Sequence, residues 1–158
     1  SSLGVSADGW VDFYYYGKEA GYRNVFVADG GDLSYNTGVN PTFQNHFGSP
    51  VSIGSMEVFG GSVLDFGFCA FNGSTQVGCL RNSQNDARGL YSFQSIALAI
   101  SDWSTWILWD DSGAGPDDNH DDMIVHAIFR PRSVSEPGTL ALVGLGLIGL
   151  GFARRLRR

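Results

Sequence analysis

Glycine cuts the body of this chain into apolar runs that are short and often alternating, and that pattern limits what it can fold into. Trp10-Val-Asp-Phe-Tyr-Tyr-Tyr16 is aromatic and partly alternating, residues 24–28 are β-branched and apolar, and residues 63–71 place Leu64, Phe66 and Phe68 on one face. A period of two sends successive side chains to opposite faces of an extended strand. Residues 90–100, 105–109 and 123–129 supply three further runs, while Asp29-Gly-Gly31, Asn36-Thr-Gly38, Gly60-Gly61 and Ser112-Gly-Ala-Gly115 mark turns. Many short strands in a single layer cannot hide both faces. The expected fold class is therefore all-β, an antiparallel β-sandwich or jelly-roll-like domain over residues 1–132. Residues 92–101 are ambiguous, because Phe93, Ile96, Ala97 and Ile100 also recur at helical spacing and a short helix is the alternative. No internal repeat suggests a propeller or a solenoid.

This body carries six basic and fifteen acidic residues, a balance of −9 to which the remaining tail returns +3. Nucleic acid calls for a basic face, so an acidic, aromatic-rich domain argues against it and favours a soluble surface protein or a binder of cations. Ser1-Ser2-Leu3 looks like a mature end left by removal of a signal peptide. Cys69 and Cys79, ten positions apart around Asn72-Gly73, suit a hairpin. In an oxidising compartment a disulfide between them is expected, worth ~2–3 kcal/mol for so short a loop, with two buried thiols as the alternative. Two cysteines without suitably spaced partners do not make a zinc site.

The last 26 residues obey a different rule. Residues 133–138 form a linker containing Ser135-Glu136-Pro137-Gly138, residues 139–153 carry no charge, and Arg154, Arg155, Arg157 and Arg158 close the chain. In water each of the four glycines in the apolar run would cost a helix ~1 kcal/mol relative to alanine, so lipid suits it better. At ~1.5 Å per residue the run covers about 22 Å of a roughly 30 Å hydrocarbon layer. Leu156 and the stems of Arg154 and Arg155 extend it. Residues 139–158 are thus expected to be a C-terminal transmembrane helix with a basic tail. The arginines hold its end in the cytoplasm, which makes the topology N-out, C-in.

This order of parts resembles the PEP-CTERM sorting signal of Gram-negative bacteria. Glu136 and Pro137 match the motif, Gly138-Thr-Leu-Ala-Leu142 continues the usual run, and Ser135 replaces the first proline. The resemblance implies an exosortase-type membrane protease as partner, which cuts near the motif and passes the protein toward the cell surface or an exopolysaccharide matrix. It also implies a Gram-negative envelope protein that is first an inner-membrane-anchored precursor and then a surface or extracellular-matrix component. A plain tail anchor and a buried hydrophobic helix are the alternatives, and neither accounts for the Glu-Pro-Gly sequence upstream. The segment from Ile107 to Ile128 also looks similar to the closing stretch of many exported proteins bearing this signal.

That stretch contains six aspartates and an asparagine between positions 110 and 122, with no Lys or Arg from Gly89 to Phe129. Crowded carboxylates repel, and a hard cation that gathers six to eight oxygens is the simplest remedy, so Ca²⁺ is the expected cofactor. Asp117, Asn119 and Asp121 repeat the first three ligand positions of an EF-hand. Asp122 stands where glycine is needed, however, and Ile128 where the bidentate glutamate belongs. A strand-flanked calcium loop is expected instead, with Asp110, Asp111 and Asp122 completing the ligand set. A solvated acidic turn is the alternative.

Nothing in the sequence assembles an active site. His46 lies in a polar loop, His120 is expected to be solvated beside its aspartates and His126, in an apolar strand, to be a hydrogen-bonded core residue, none near a nucleophile motif. A non-enzymatic exported protein is the expected class. Two alternatives remain open: a carbohydrate-binding module that offers Trp103 and Trp109 to exopolysaccharide, and a matrix or filament subunit that associates with itself through exposed strand edges.

Overall fold

The first strand alternates from Gly9 to Tyr16. In β1 (Gly9–Glu19) Val11, Phe13 and Tyr15 are buried while Trp10, Asp12, Tyr14 and Tyr16 stay partly exposed. The computed structural model describes residues 2–85, 94–111 and 120–133. Nine further strands follow: β2 (Arg23–Ala28), β3 (Leu33–Asn36), β4 (Phe43–Asn45), β5 (Val51–Val58), β6 (Phe66–Asn72), β7 (Thr75–Arg81), β8 (Ser95–Ile100), β9 (Ser104–Asp110) and β10 (Met123–Pro131).

They form two antiparallel sheets. In the larger, β10 lies against one side of β1 and is followed by β9 and β8, while β4 and β5 share the other side of β1. The smaller runs β3-β2-β6-β7. Their inner faces meet through aromatic rings: Phe13 of β1 lies 5.1 Å from Phe26 of β2, and Trp109 of β9 stacks on Phe68 of β6 at 5.1 Å. All four rings are fully buried. Each such side chain taken from water contributes roughly 1.5–3 kcal/mol, so this seam holds the sheets together.

Two irregularities alter which residues face inward. Tyr15 opposes Val125 and Gly17 opposes Ile124, so Tyr16 is an extra residue in β1 and the inward positions shift by one beyond it. In β5 the same happens around Ile53: Phe13 opposes Gly54 but Tyr14 opposes Ser52. Gly54 adopts φ 144°, and a Cβ there would sit 2.7 Å from a methyl of Leu33.

The all-β expectation stands, and residues 95–100 are strand, not helix. Sequence reading missed β3, β4 and β5. The last is hidden because its apolar positions, Val51 and Ile53 and then Met56 and Val58, change parity at the irregularity. Among the described residues no helix is long and apolar enough to cross a membrane, and the run at 139–158 lies outside them.

The amino-terminal segment is clamped by Asn82. Its Oδ1 accepts from Leu3 N–H at 2.8 Å, and its Nδ2 donates to Leu3 O at 2.7 Å and Leu64 O at 2.8 Å. Cys69 and Cys79 stand directly opposite in the β6–β7 hairpin and are joined by a disulfide. The bridge closes a short loop, so replacing both cysteines by alanine should lower stability by ~2–3 kcal/mol. The measurement is the urea midpoint of the double variant against the native chain without reductant, and equal midpoints would refute it.

Candidate functional site

The irregularity in β1 has a chemical result: it turns Lys18 inward, to 2% exposure. The ammonium donates to Gly38 O at 2.9 Å and to Tyr22 O at 3.4 Å. It also attracts Asp111 and Asp122, which stand at the two ends of the acidic loop. The sequence showed no cation within that loop, and this one arrives from a strand more than 90 residues earlier.

The loop ends are tied to each other. Asp111 N–H donates to Asp122 Oδ2 at 2.8 Å, which closes the chain across residues 112–121. Asn24 of β2 braces the closure, donating from Nδ2 to Asp111 Oδ2 at 2.8 Å and to Asp122 O at 3.1 Å. Asn24 is fully buried, and its Oδ1 has no hydrogen-bond partner among the described residues. Asp110 and Asp111 are also buried, at 1% and 4% exposure. Beside them a cavity of about 390 Å³ is lined by residues 19–22, Thr42, Phe43, Asp111 and Asp122.

Burial dominates the electrostatics. It raises the Asp111 carboxyl, with Asp110 adding repulsion, against the hydrogen bonds from Asn24 and with Asp122 and the charge of Lys18. Asp122 is pushed up from 3.8 to about 7, first by burial and then by the charges of Asp111, Asp110 and Asp121, against the backbone hydrogen bond from Asp111. Burial also lowers Lys18, which the same two aspartates partly oppose. Carboxylates so placed favour any partner that removes their negative charge, whether a proton or a cation.

Of the expected metal ligands, Asp110, Asp111, Asp121 and Asp122 gather at this end, and Asp117 and Asn119 lie outside the described residues. Among the described residues no group of three or more His, Cys, Asp or Glu side chains is arranged to hold a metal ion. Sequence reading missed Lys18 and Asn24. Their one signal was a polar residue next to the end of each of two largely apolar strands.

The histidines differ from expectation. His120, expected to be solvated, is partly buried, with Nε2 2.6 Å from Ser95 Oγ. That is nucleophile-to-base distance, but neither residue lines the cavities described here. His126 points to the outer face of the large sheet and stacks on Trp106 at 4.2 Å, with Tyr16 edge-on at 5.8 Å. Its ring nitrogens are buried without hydrogen-bond partners among the described residues, and burial lowers its pKa, which keeps it neutral. The tryptophan pair is corrected as well. Trp109 is fully buried against Phe68 and offers no face to a sugar, whereas Trp103 is 58% exposed in the β8–β9 turn. The two share no surface, because Trp103 precedes β9 and its strand alternation.

The family model for the PEP-CTERM protein-sorting motif matches residues 133–158. No curated protein matches the chain. The matched segment contains Ser135, Glu136, Pro137 and Gly138 together with the four terminal arginines, all outside the described residues. The chain therefore carries a PEP-CTERM sorting motif, which makes it an exported, membrane-associated precursor processed by exosortase.

The acidic closure predicts a pH dependence. A carboxyl whose pKa is raised by folding stabilises the native state fully below its unfolded value, here 3.8, and that contribution disappears as pH rises through about 7. Asp122→Asn keeps an oxygen acceptor for Asp111 N–H and removes the titration. The melting temperature of the native chain relative to this variant should therefore fall by a few degrees across that window. Parallel melting curves of the two proteins would refute the assignment.

Proposed function

We propose that this protein is a non-enzymatic component of the cell surface or extracellular matrix, a β-sandwich delivered to the envelope by its C-terminal signal. The match at residues 133–158 carries the reading, together with a folded domain that ends at β10 immediately before it. The ordering within the signal supports an N-out, C-in precursor: a helix-breaking Glu-Pro-Gly, an uncharged run and terminal arginines. The non-enzymatic part is supported by the roles the histidines take, since His126 is used in ring packing and His46 packs against Tyr15 at 5.5 Å. The test is a reporter fused to residues 133–158 in a host with an exosortase. The reporter is expected in the envelope and shortened at the motif, and a reporter of full length that stays soluble in the cytoplasm would overturn the reading.

Within that function we infer that Ca²⁺ steadies the acidic loop. The support is the burial of Asp110 and Asp111, the raised carboxyls of Asp111 and Asp122, and the buried Asn24 Oδ1 that has no hydrogen-bond partner among the described residues. Asp117, Asn119 and Asp121 would supply the alternating ligands along the loop. Binding to the native state alone stabilises it with the logarithm of ligand excess over Kd. Millimolar Ca²⁺ should thus raise the melting temperature at neutral pH, and Asp111→Asn should abolish the rise. Identical melting in calcium and in excess chelator would remove the ion from the account.

A further inference from the structure

The end of the sandwich from which the sorting tail departs is also apolar. Pro131 at the end of β10 opposes Gly9, and Gly9 opposes Val58 at the end of β5. One step further, Arg132 N–H donates to Asp8 O at 2.9 Å, and on the other side Phe129 N–H donates to Trp103 O at 2.8 Å. The β8–β9 turn and the Gly4–Val63 bridge complete the same end. Four large hydrophobic residues stand out into water here: Phe59 at 59% exposure, Val63 at 52%, Ile100 at 67% and Trp103 at 58%. Ile100 and Trp103 border a cleft of about 120 Å³ that is also lined by Leu3, Leu64 and Phe129.

Trp103 is held in place. Its ring lies 4° from parallel with Phe129 at 6.1 Å, and its turn is locked by Ser101 N–H donating to Ser104 O at 2.8 Å and by a 2.9 Å bond between the two hydroxyls. Charge at this end is mostly paired, Arg130 with Asp12 and Arg132 with Glu57, and the Arg132 guanidinium also lies over the Trp10 ring. The opposite end also exposes hydrophobic side chains, Phe43 at 58% and Phe47 at 56%, but differs in its charge. There Phe43 and Phe47 stand beside Glu19 and Asp121, with the buried aspartates behind.

Chain length then constrains where the apolar end lies. Six Cα–Cα steps separate Ser133 from Thr139, where the uncharged run begins, and at ~3.3–3.6 Å each they span about 20 Å at most. Provided that residues 139–153 lie in lipid, as the proposed topology has it, this face cannot move far from the headgroups. We propose that in the anchored precursor the tail-proximal end of the sandwich docks on the bilayer surface, with Trp103, Ile100, Phe59 and Val63 in the interfacial layer. An indole prefers that layer because one edge is polar and the body apolar. The acidic end then points away, one β1 length from the membrane, or roughly 36 Å at ~3.3 Å per residue. The domain so oriented presents residues 133–138 at headgroup height, where a membrane-embedded protease works. Asp102 at the turn tip is acidic and gains nothing from anionic headgroups, so zwitterionic lipid should serve at least as well as anionic lipid.

The experiment uses the full chain reconstituted into phosphatidylcholine vesicles, with lipids brominated near the headgroup as quenchers of tryptophan fluorescence. The chain should float with the vesicles and be quenched, and Trp103→Phe should remove roughly half or more of the quenching. Ile100→Ser, which keeps the indole on an exposed site, should weaken quenching with unchanged melting. Flotation with equal quenching in native and Trp103→Phe chains would overturn the docking and leave the tail reading intact. A chain that does not float removes the anchor and the docking together. If soluble dextran shifts the Trp103 emission while brominated lipid does not, the cleft belongs to sugar and the proposal falls.

Discussion

The pairing of β1 with β10 holds the molecule together. It joins the first strand to the last over more than 100 residues of chain, and both edges of β1 are occupied, by β10 on one side and by β4 and β5 on the other. Closing so long a loop costs entropy that only dense burial repays, and the inner side of this pair supplies it with Val11, Phe13, Tyr15, Met123, Val125 and Ala127. The smaller sheet adds Phe26, Phe66 and Phe68 to the same core. Since β10 leads directly toward the sorting segment, the point from which that segment departs is set by the most central pairing in the fold.

The acidic end shows what that packing imposes on polar groups. Asp110, Asp111 and Lys18 are carried out of water by strands whose other residues belong in the core. Charges buried in this way are tolerated only when hydrogen bonds and opposite charges surround them. Asn24 and the Asp111 N–H supply the former and Lys18 the latter, but one cation does not balance the aspartates around it, and Asp122 responds by holding its proton to about 7. The closure is therefore a joint that tightens when negative charge is removed.

The two ends of the sandwich differ because the strands carry their chemistry along their length. β9 begins beside exposed Trp103 and finishes at buried Asp110, and β10 begins beside Asp122 and finishes at Arg130 and Pro131. Antiparallel pairing places the two acid-bearing ends together and brings Trp103 beside the end of β10 from which the tail departs. An exported protein held by a short linker thereby gains a top and a bottom.

Much was legible in the sequence. The alternation in residues 10–16 and the apolar runs at 24–28, 105–109 and 123–129 foretold strands, because side-chain period is a local property. The cysteines around Asn72-Gly73 foretold a hairpin on which they face each other. The sorting motif was legible because it is read as a linear order of parts and needs no fold. The site was legible only in its aspartates. The parity of Val11, Phe13 and Tyr15 would turn Lys18 outward, and the extra residue at Tyr16 reverses it, as the one at Ile53 breaks the pattern from Val51 to Val58. The sequence by itself thus determined the strands, the turns and the address. Only the tertiary structure decided which residues turn inward past each irregularity, which ring is buried at Trp109 and exposed at Trp103, and which cation meets the acidic loop, because register and packing are settled between strands and not within one.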